Sequence, residues 1–556
     1  MKRKYVVISL ACYWSVLSQI AFCAPANPDQ LQTTKQQALE QQKQINEPSV
    51  QLQKQITTAD GVVLPKEAFR FPVKEFSLRG DERGSFKWLL KELEPYKGRL
   101  IGAGGINVLR EFLENKVKER GFITTHIIVP QQQLKSGKLC FKILPGYVED
   151  IRFSDPKIFG SWRTAFPNRP GDILNIRELE QGLEQMRRVP NQTVEMKLEP
   201  GSVVNKSIIV LTVKRSKMWS AGITFDDAGT ENTGRLQATG NLALYNPTGL
   251  NDVLSYSYSK DGEHQDQLHG TKDNSFSYSL PYGDYTFNVS RYYNEYYQQV
   301  PALVPFESRG KTTTWNFGLQ KVLYRDSQRK IQGLVKLIKR RKESYADGQE
   351  IRVQSLTTTA YQVGLMERLY VGQGVVDATV YFQKGMPWFK AEPGTNDHVS
   401  DFMTTRYDLW GLNFYYATPF TLGSWQPKYS LTFRGQYTNN VLYGADQFSI
   451  GGRYTVRGFS GENTLAAENG FILRNEIGFP FKKFNMEPYI GLDYGRVWGP
   501  SSEGLLGKAL AGGVVGVRGK IALQMSYDIF MGTPLYKPEG FTAGKTACGF
   551  NLYWQL

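Results

Sequence analysis

Leu254, Tyr256 and Tyr258 alternate with Ser255, Ser257 and Ser259, and the same two-residue rhythm recurs from about Met218 to the last residue. Phe276, Tyr278 and Leu280 alternate with Ser275, Ser277 and Ser279. Tyr429, Leu431, Phe433 and Tyr437 alternate with Ser430, Thr432, Arg434, Gln436 and Thr438. Near the end Ile521, Leu523, Met525, Tyr527 and Ile529 face away from Ala522, Gln524, Ser526 and Asp528. Successive side chains of a strand point to opposite faces, so each strand has one lipid-compatible face and one wet face. A β-sandwich also alternates, but not with faces of this kind over so many strands. The pattern predicts an antiparallel transmembrane β-barrel.

Composition agrees. Mean hydropathy is negative, which excludes a helical membrane protein. Tyr, Phe and Gly are abundant, at 31, 31 and 54 residues, as suits a barrel whose signal is weak per strand. The formal charge of +15 favours acidic partners. Its cations are dispersed rather than gathered on one helix, so a polar lumen or the anionic outer-leaflet surface is expected as recipient, not nucleic acid. Cys12 and Cys23 fall in a leader, while Cys140 and Cys548 fall in different units, so no disulfide is expected. His126, His264, His269 and His398 show no metal-site grouping.

Lys2-Arg3-Lys4 followed by the apolar run Tyr5 to Phe22 reads as a secretory leader, with cleavage after Cys23, Ala24 or Ala26. Lipidation at Cys23 is disfavoured by the bulky Phe22. Asn27 to about Ile45 is Gln-rich and polar nearly all round. Such a segment is either disordered or a helix standing in water.

Two α/β units follow. In the first, Phe71 to Leu78 is a strand, and Ile106, Leu109, Leu113 and Val117 form a helix stripe that ends at Gly121. Thr125 to Val129 and Lys138 to Ile143 are further strands. In the second, Val148 to Phe153 is a strand, and Asn175 with Glu178 makes a capping-box pattern. Ile176, Leu179, Leu183 and Met186 give the helix its buried stripe, and Pro190 stops it. An exposed sheet edge in such a unit can accept an extended peptide as an added strand.

Between two barrel strands lies Gly451-Gly452-Arg453-Tyr454-Thr455-Val456-Arg457-Gly458-Phe459, too long and polar for a tight turn. Further on, Gly491-Leu492-Asp493-Tyr494-Gly495 places one carboxylate between glycines on the wet face. An inserted loop carrying Arg457 fits that cleared space. The motif Val456, Arg457, Gly458, Phe459, followed by Gly491, Asp493, Gly495, resembles the two-partner secretion transporters, the TpsB family of the POTRA-barrel superfamily. The segment Leu174 to Leu183 resembles that family's second POTRA helix, and the likeness covers nearly the whole mature chain.

The resemblance implies a signal peptide at 1–24, a plug helix at 25–46 and a linker at 47–68. It implies POTRA domains at 69–146 and 147–217, then a 16-stranded barrel at 218–556 with its sixth outer loop, 440–468, folded inward. Fourteen or eighteen strands stay open. Lys339 to Gln354 and Gln383 to Arg406 are expected as long outer loops. The final residue, Leu556, departs from the aromatic ending usual in outer-membrane barrels.

No catalytic constellation is present; Gly102-Ala103-Gly104-Gly105 lacks the lysine of a phosphate loop. The expectation is a cofactor-free export pore in the outer membrane, not an enzyme, with its POTRA domains in the periplasm. The implied partners are a secreted TpsA-type exoprotein (adhesin, haemolysin or contact-dependent inhibition toxin), outer-membrane lipid or lipopolysaccharide, and the barrel-assembly machinery. An assembly factor of the same architecture is the alternative. A ligand-gated nutrient receptor would need a larger globular plug.

Overall fold

Sixteen principal strands close into one antiparallel cylinder in the computed structural model, which describes residues 27–53, 61–262, 269–300, 304–394, 402–521 and 524–556. They are β1 Trp219–Asp226, β2 Gln237–Tyr245, β3 Val253–Asp261 and β4 His269–Tyr282. Next come β5 Tyr285–Val300, β6 Phe306–Arg325, β7 Arg329–Ala346 and β8 Leu356–Val371. Then follow β9 Gly374–Met386, β10 Asp408–Pro419, β11 Lys428–Thr438 and β12 Asn469–Gly478. The last are β13 Met486–Trp498, β14 Ala509–Ile521, β15 Met525–Tyr536 and β16 Ala547–Gln555. Each pairs with its sequence neighbours, and β16 closes on β1 from Asn551↔Asp226 to Gln555↔Gly222.

Alternation accounts for the two surfaces. Tyr256, Tyr258 and Phe276 are exposed on the outside. Their serine neighbours form rungs inside, Ser255 to Ser277 and Ser257 to Ser275, each at 2.7 Å. The leader lies outside the described residues, as do His264 and His398. His269 starts β4. Cys140 is buried and Cys548 exposed, and both are free thiols.

One expected loop is mostly strand. Residues 339–346 continue β7, pairing with β6 from Trp315↔Lys339 to Ser308↔Ala346. The connection shrinks to residues 347–355. Its charges hid a strand because the inward ones have partners: Arg340 meets Asp446 at 2.7 Å and Lys342 meets Asp29 at 2.6 Å. Residues 383–386 likewise belong to β9.

Three longer helices accompany the barrel: α1 is Pro28–Ile45, α2 is Ala103–Glu119 and α3 is Ile176–Arg187. Helix α2 buries Leu109, Leu113 and Val117 on a sheet ordered Glu75–Arg79, Lys138–Leu144, His126–Ile128. Helix α3 buries Leu179, Leu183 and Met186 on a sheet ordered Tyr147–Phe153, Lys206–Arg215, Gln192–Pro200. In each sheet the last strand in sequence lies in the middle, parallel to the first and antiparallel to the other.

Asn175 caps α3 by accepting from the Arg177 N–H at 2.9 Å. Glu178 does not complete a reciprocal cap; its carboxyl takes the Asn168 side-chain amide instead.

Helix α3 docks under the barrel. Gln185 donates to the Gly283 carbonyl at 3.2 Å and to the Thr286 hydroxyl at 3.1 Å. Arg325 and Lys330, at the β6–β7 turn, pair with Glu184. Burial acts to raise the Glu184 carboxyl, but these two cations hold it below its usual range. The turns that α3 touches are therefore at the periplasmic end of the cylinder.

Candidate functional site

The chain between β11 and β12 enters the cylinder. Within it Phe448–Ile450 pairs with Leu465–Ala467 as a short ladder. Beyond the ladder the segment carries its own apolar core: Ile450, Val456, Phe459 and Leu465 pack on Ile472, Val497, Leu510 and Phe541. A loop that looks polar in sequence is thus anchored by buried apolar side chains, which β-strand periodicity cannot reveal because the loop has none.

At its tip Arg457 is 5% exposed and Asp493 is 3% exposed. The Arg457 Nε and Nη2 donate to the two oxygens of Asp493 at 2.8 and 2.9 Å. The Arg457 backbone N–H adds a third bond to Asp493, at 2.9 Å. This is a bidentate guanidinium–carboxylate fork, the strong geometry for such pairs. Nη1 of Arg457 reaches Glu476 on β12. Glu476 in turn accepts from Arg518 at 2.8 Å, and Arg474 lies 3.7 Å from Asp493. The cluster spans β12, β13, β14 and the loop.

The flanking glycines leave the room. A Cβ on Gly491 would stand 2.7 Å from Arg457 Nη2, and one on Gly495 would stand 2.9 Å from Val456 Cγ2. Gly458 has φ of 117°, a conformation suited to glycine. Phe459 packs edge-on against Phe541, with centroids 5.9 Å apart.

All seven sequence-derived residues, Val456, Arg457, Gly458, Phe459, Gly491, Asp493 and Gly495, meet at this one place. Sequence reasoning missed Glu476, Arg518 and Gly512, whose Cβ would collide with the Arg457 carbonyl oxygen. The available signal was register: Arg474 lies opposite Asp493 and Glu476 opposite Gly491 on the wet face.

Helix α1 lies in the lumen beside the inserted loop. Gln30 donates to the Gly444 carbonyl at 2.8 Å, and Thr312 donates to Asp29 at 2.9 Å. Lys336 meets Glu40 at 3.1 Å, and Gln44 donates to Thr379 at 3.0 Å. At its periplasmic end Arg368 donates to the carbonyls of Gln44, Ile45 and Glu47 at 2.8, 3.0 and 2.8 Å. Gln44 and Ile45 belong to the last turn of the helix and Glu47 lies just beyond it, at the end where a cation is also favoured by the helix dipole. Polarity all round suits a helix surrounded by a wet wall.

The following linker is tied down as well. Leu52 N–H donates to Glu180 at 2.7 Å, Arg177 to Gln53 at 3.1 Å, and Arg325 to the Val50 carbonyl at 2.7 Å. Helix α1, helix α3 and the barrel floor therefore share one polar junction.

Residues 205–519 match the family described as haemolysin secretion/activation protein ShlB/FhaC/HecB. Residues 71–146 match the ShlB-type POTRA domain, and residues 147–200 match a POTRA domain. Outer membrane transporter CdiB-2 of Burkholderia pseudomallei is 36% identical, over 96% of this chain and 95% of the relative. Hemolysin transporter protein HpmB of Proteus mirabilis is 26% identical over 89% of both chains. The solved structure of CdiB from Acinetobacter baumannii is similar with a TM-score of 0.83 and 27% identity, covering 96% of this chain and all of that one. These likenesses fall on transporters and do not favour the assembly-factor alternative. With two POTRA units beneath a 16-stranded barrel, the chain belongs to the ShlB/FhaC/HecB family of two-partner secretion transporters of the outer membrane.

Proposed function

We propose that this transporter exports one large TpsA-type exoprotein, and that the Arg457–Asp493–Glu476 cluster seats the sixth outer loop during that cycle. The observation that carries the reading is a lumen occupied by a helix held to the wall through hydrogen bonds and ion pairs, groups that water can also satisfy. The POTRA pair captures the unfolded partner in the periplasm. Strand Gln192–Pro200 pairs on one side only, with Lys206–Arg215, and offers an edge for strand addition. Helix α1 then withdraws, the partner threads outward, and its folding outside opposes return. No catalytic step is required.

Relatives named CdiB align over 96% of this chain or more, and the hemolysin transporters over 89% and 83%. That ordering favours a contact-dependent toxin as cargo over a haemolysin. Lipopolysaccharide around the barrel and the barrel-assembly machinery during insertion complete the proposed partners.

The test is a cysteine pair, Gln44→Cys with Thr379→Cys, replacing side chains now 3.0 Å apart. Oxidation should trap α1 and stop export of the exoprotein, and reductant should restore it. Export that continues with α1 cross-linked would refute the withdrawal step.

A further inference from the structure

We propose that β7 is a carboxylate track: a lumenal row of cations that binds an extended, acidic stretch of the exported chain in transit. This deepens the export reading above and rests on its withdrawal of α1.

The row follows from strand parity. From the periplasmic end, β7 turns Lys330, Lys336, Arg340 and Lys342 to the lumen. Lys330 and Lys342 lie twelve residues apart. At ~3.3 Å per residue this is about 40 Å of tilted strand, enough to cross the apolar band of such a barrel.

Each of the four cations is matched by a group that is not part of the barrel wall. Glu184 of α3 meets Lys330 at 2.7 Å, and Glu40 of α1 meets Lys336 at 3.1 Å. Asp446 of the inserted loop meets Arg340 at 2.7 Å, and Asp29 of α1 meets Lys342 at 2.6 Å. Among the described residues, no carboxylate of a barrel strand lies within ion-pair distance of any of the four. The facing positions on the adjacent strands are uncharged: Thr312, Thr314 and Gly318 on β6, and Leu356, Thr358 and Gln362 on β8. A cation placed only to brace the wall has its counter-charge in the wall, as Arg368 has in Asp377 on the next strand at 2.6 Å.

Helix α1 shows what such a row accepts. Asp29 and Glu40 lie eleven residues apart, about three full turns, so they share one face with a rise of about 16 Å. Lys336 and Lys342, six residues apart on a tilted strand, offer a matching rise of about 15 Å. Lys35, on another face of α1, shares a cavity with Asp273 of β4. That side of the lumen is acidic. Strands β1 to β5 turn Asp226, Asp261 and Asp273 inward and, among the described residues, no lysine or arginine.

Withdrawal of α1 frees Lys336 and Lys342, and displacement of the loop frees Arg340. A basic row without counter-charge then faces an acidic wall across a wet lumen, where fields focus and draw in the opposite charge. An extended chain brings alternate side chains to one face every ~6.6 Å, the separation of Arg340 and Lys342 along β7. Carboxylates of a passing strand can therefore take the places that Asp29, Glu40 and Asp446 leave.

The experiment uses the full chain in planar bilayers, with synthetic peptides added on the periplasmic side. The probes are peptides of alternating Glu and Ser, Gln and Ser, or Lys and Ser. Dwell time is scored per blocking event within openings, so a weaker hold on α1 does not enter. At matched voltage and low salt, the Glu peptide should dwell about tenfold longer than the Gln peptide, and the Lys peptide should gain nothing. The difference should vanish in K336Q/R340Q/K342Q and persist in the outward control K311Q/K339Q/R341Q. Equal dwell of Glu and Gln peptides in the unaltered chain would overturn the proposal. So would a difference that survives the lumenal triple variant, or one lost equally in the control. Openings that persist with the Gln44→Cys and Thr379→Cys link oxidised would instead count against the withdrawal of α1.

Discussion

Asp493 receives three hydrogen bonds from Arg457, two from its guanidinium and one from its backbone N–H. The carboxylate thus holds the loop by its main chain as well as by charge. Arg457→Ala leaves buried Asp493 with only the more distant Arg474, and Asp493→Ala leaves Arg457 with only Glu476; losing the main partner of a buried charge costs up to about 3–5 kcal/mol. Both variants should unfold earlier in detergent, read as loss of heat-modifiable migration at lower temperature. The charge-swapped double variant, Arg457→Asp with Asp493→Arg, should not rescue. The guanidinium brought onto β13 would face Arg474, and the backbone N–H at the loop tip would lose its acceptor. Full rescue by the swap would show that charge alone seats the loop.

Close approach predicts a second effect. Gly512→Ala puts a methyl group into the Arg457 carbonyl oxygen, and Gly491→Ala puts one against its guanidinium. Each should cost about 1–3 kcal/mol by overpacking. Gly240→Ala meets nothing within 4 Å and should be silent. Protease cleavage within residues 451–464 should rise in the first two variants and not in the third.

Arg368 closes the periplasmic end of α1 through three carbonyls and also bonds Asp377 at 2.6 Å. Arg368→Gln keeps at most part of this. With a hydrogen bond worth about 1 kcal/mol net, the open fraction in planar bilayers should rise about fivefold or more. An unchanged open fraction would mean that the helix is held elsewhere.

Glu178 gives the POTRA–barrel junction a pH dependence. Burial, then the nearby Asp284 and Asp172, push its carboxyl up from 4.5 to about 7. The folded state therefore favours the neutral acid. Its stabilising contribution is complete below about 4.5 and is lost as pH rises through about 7. Amide exchange in α3 should be faster at about pH 8 than at about pH 5, and Glu178→Gln should remove the difference.

Much of this was legible in the sequence because strand and helix periods are local. Serine–tyrosine alternation announced the barrel, and Leu179, Leu183 and Met186 announced α3. The pairing of Arg457 with Asp493 was legible only through the motif resemblance together with the lumen-facing parity of Asp493. What was not legible depends on register between strands. Glu476 and Gly512 join the cluster only when β12 and β14 slide into place beside β13. The strand at residues 339–346 was hidden because its charges find partners on α1 and the loop, distant in sequence.

Helix α1 is held by glutamine, lysine and carboxylate contacts that water can replace one for one. Its departure would expose little hydrocarbon either on itself or on the wall. Gating should therefore show a heat-capacity change close to zero, unlike the large positive value of unfolding. The released segment would need no chaperone to remain dissolved in the periplasm.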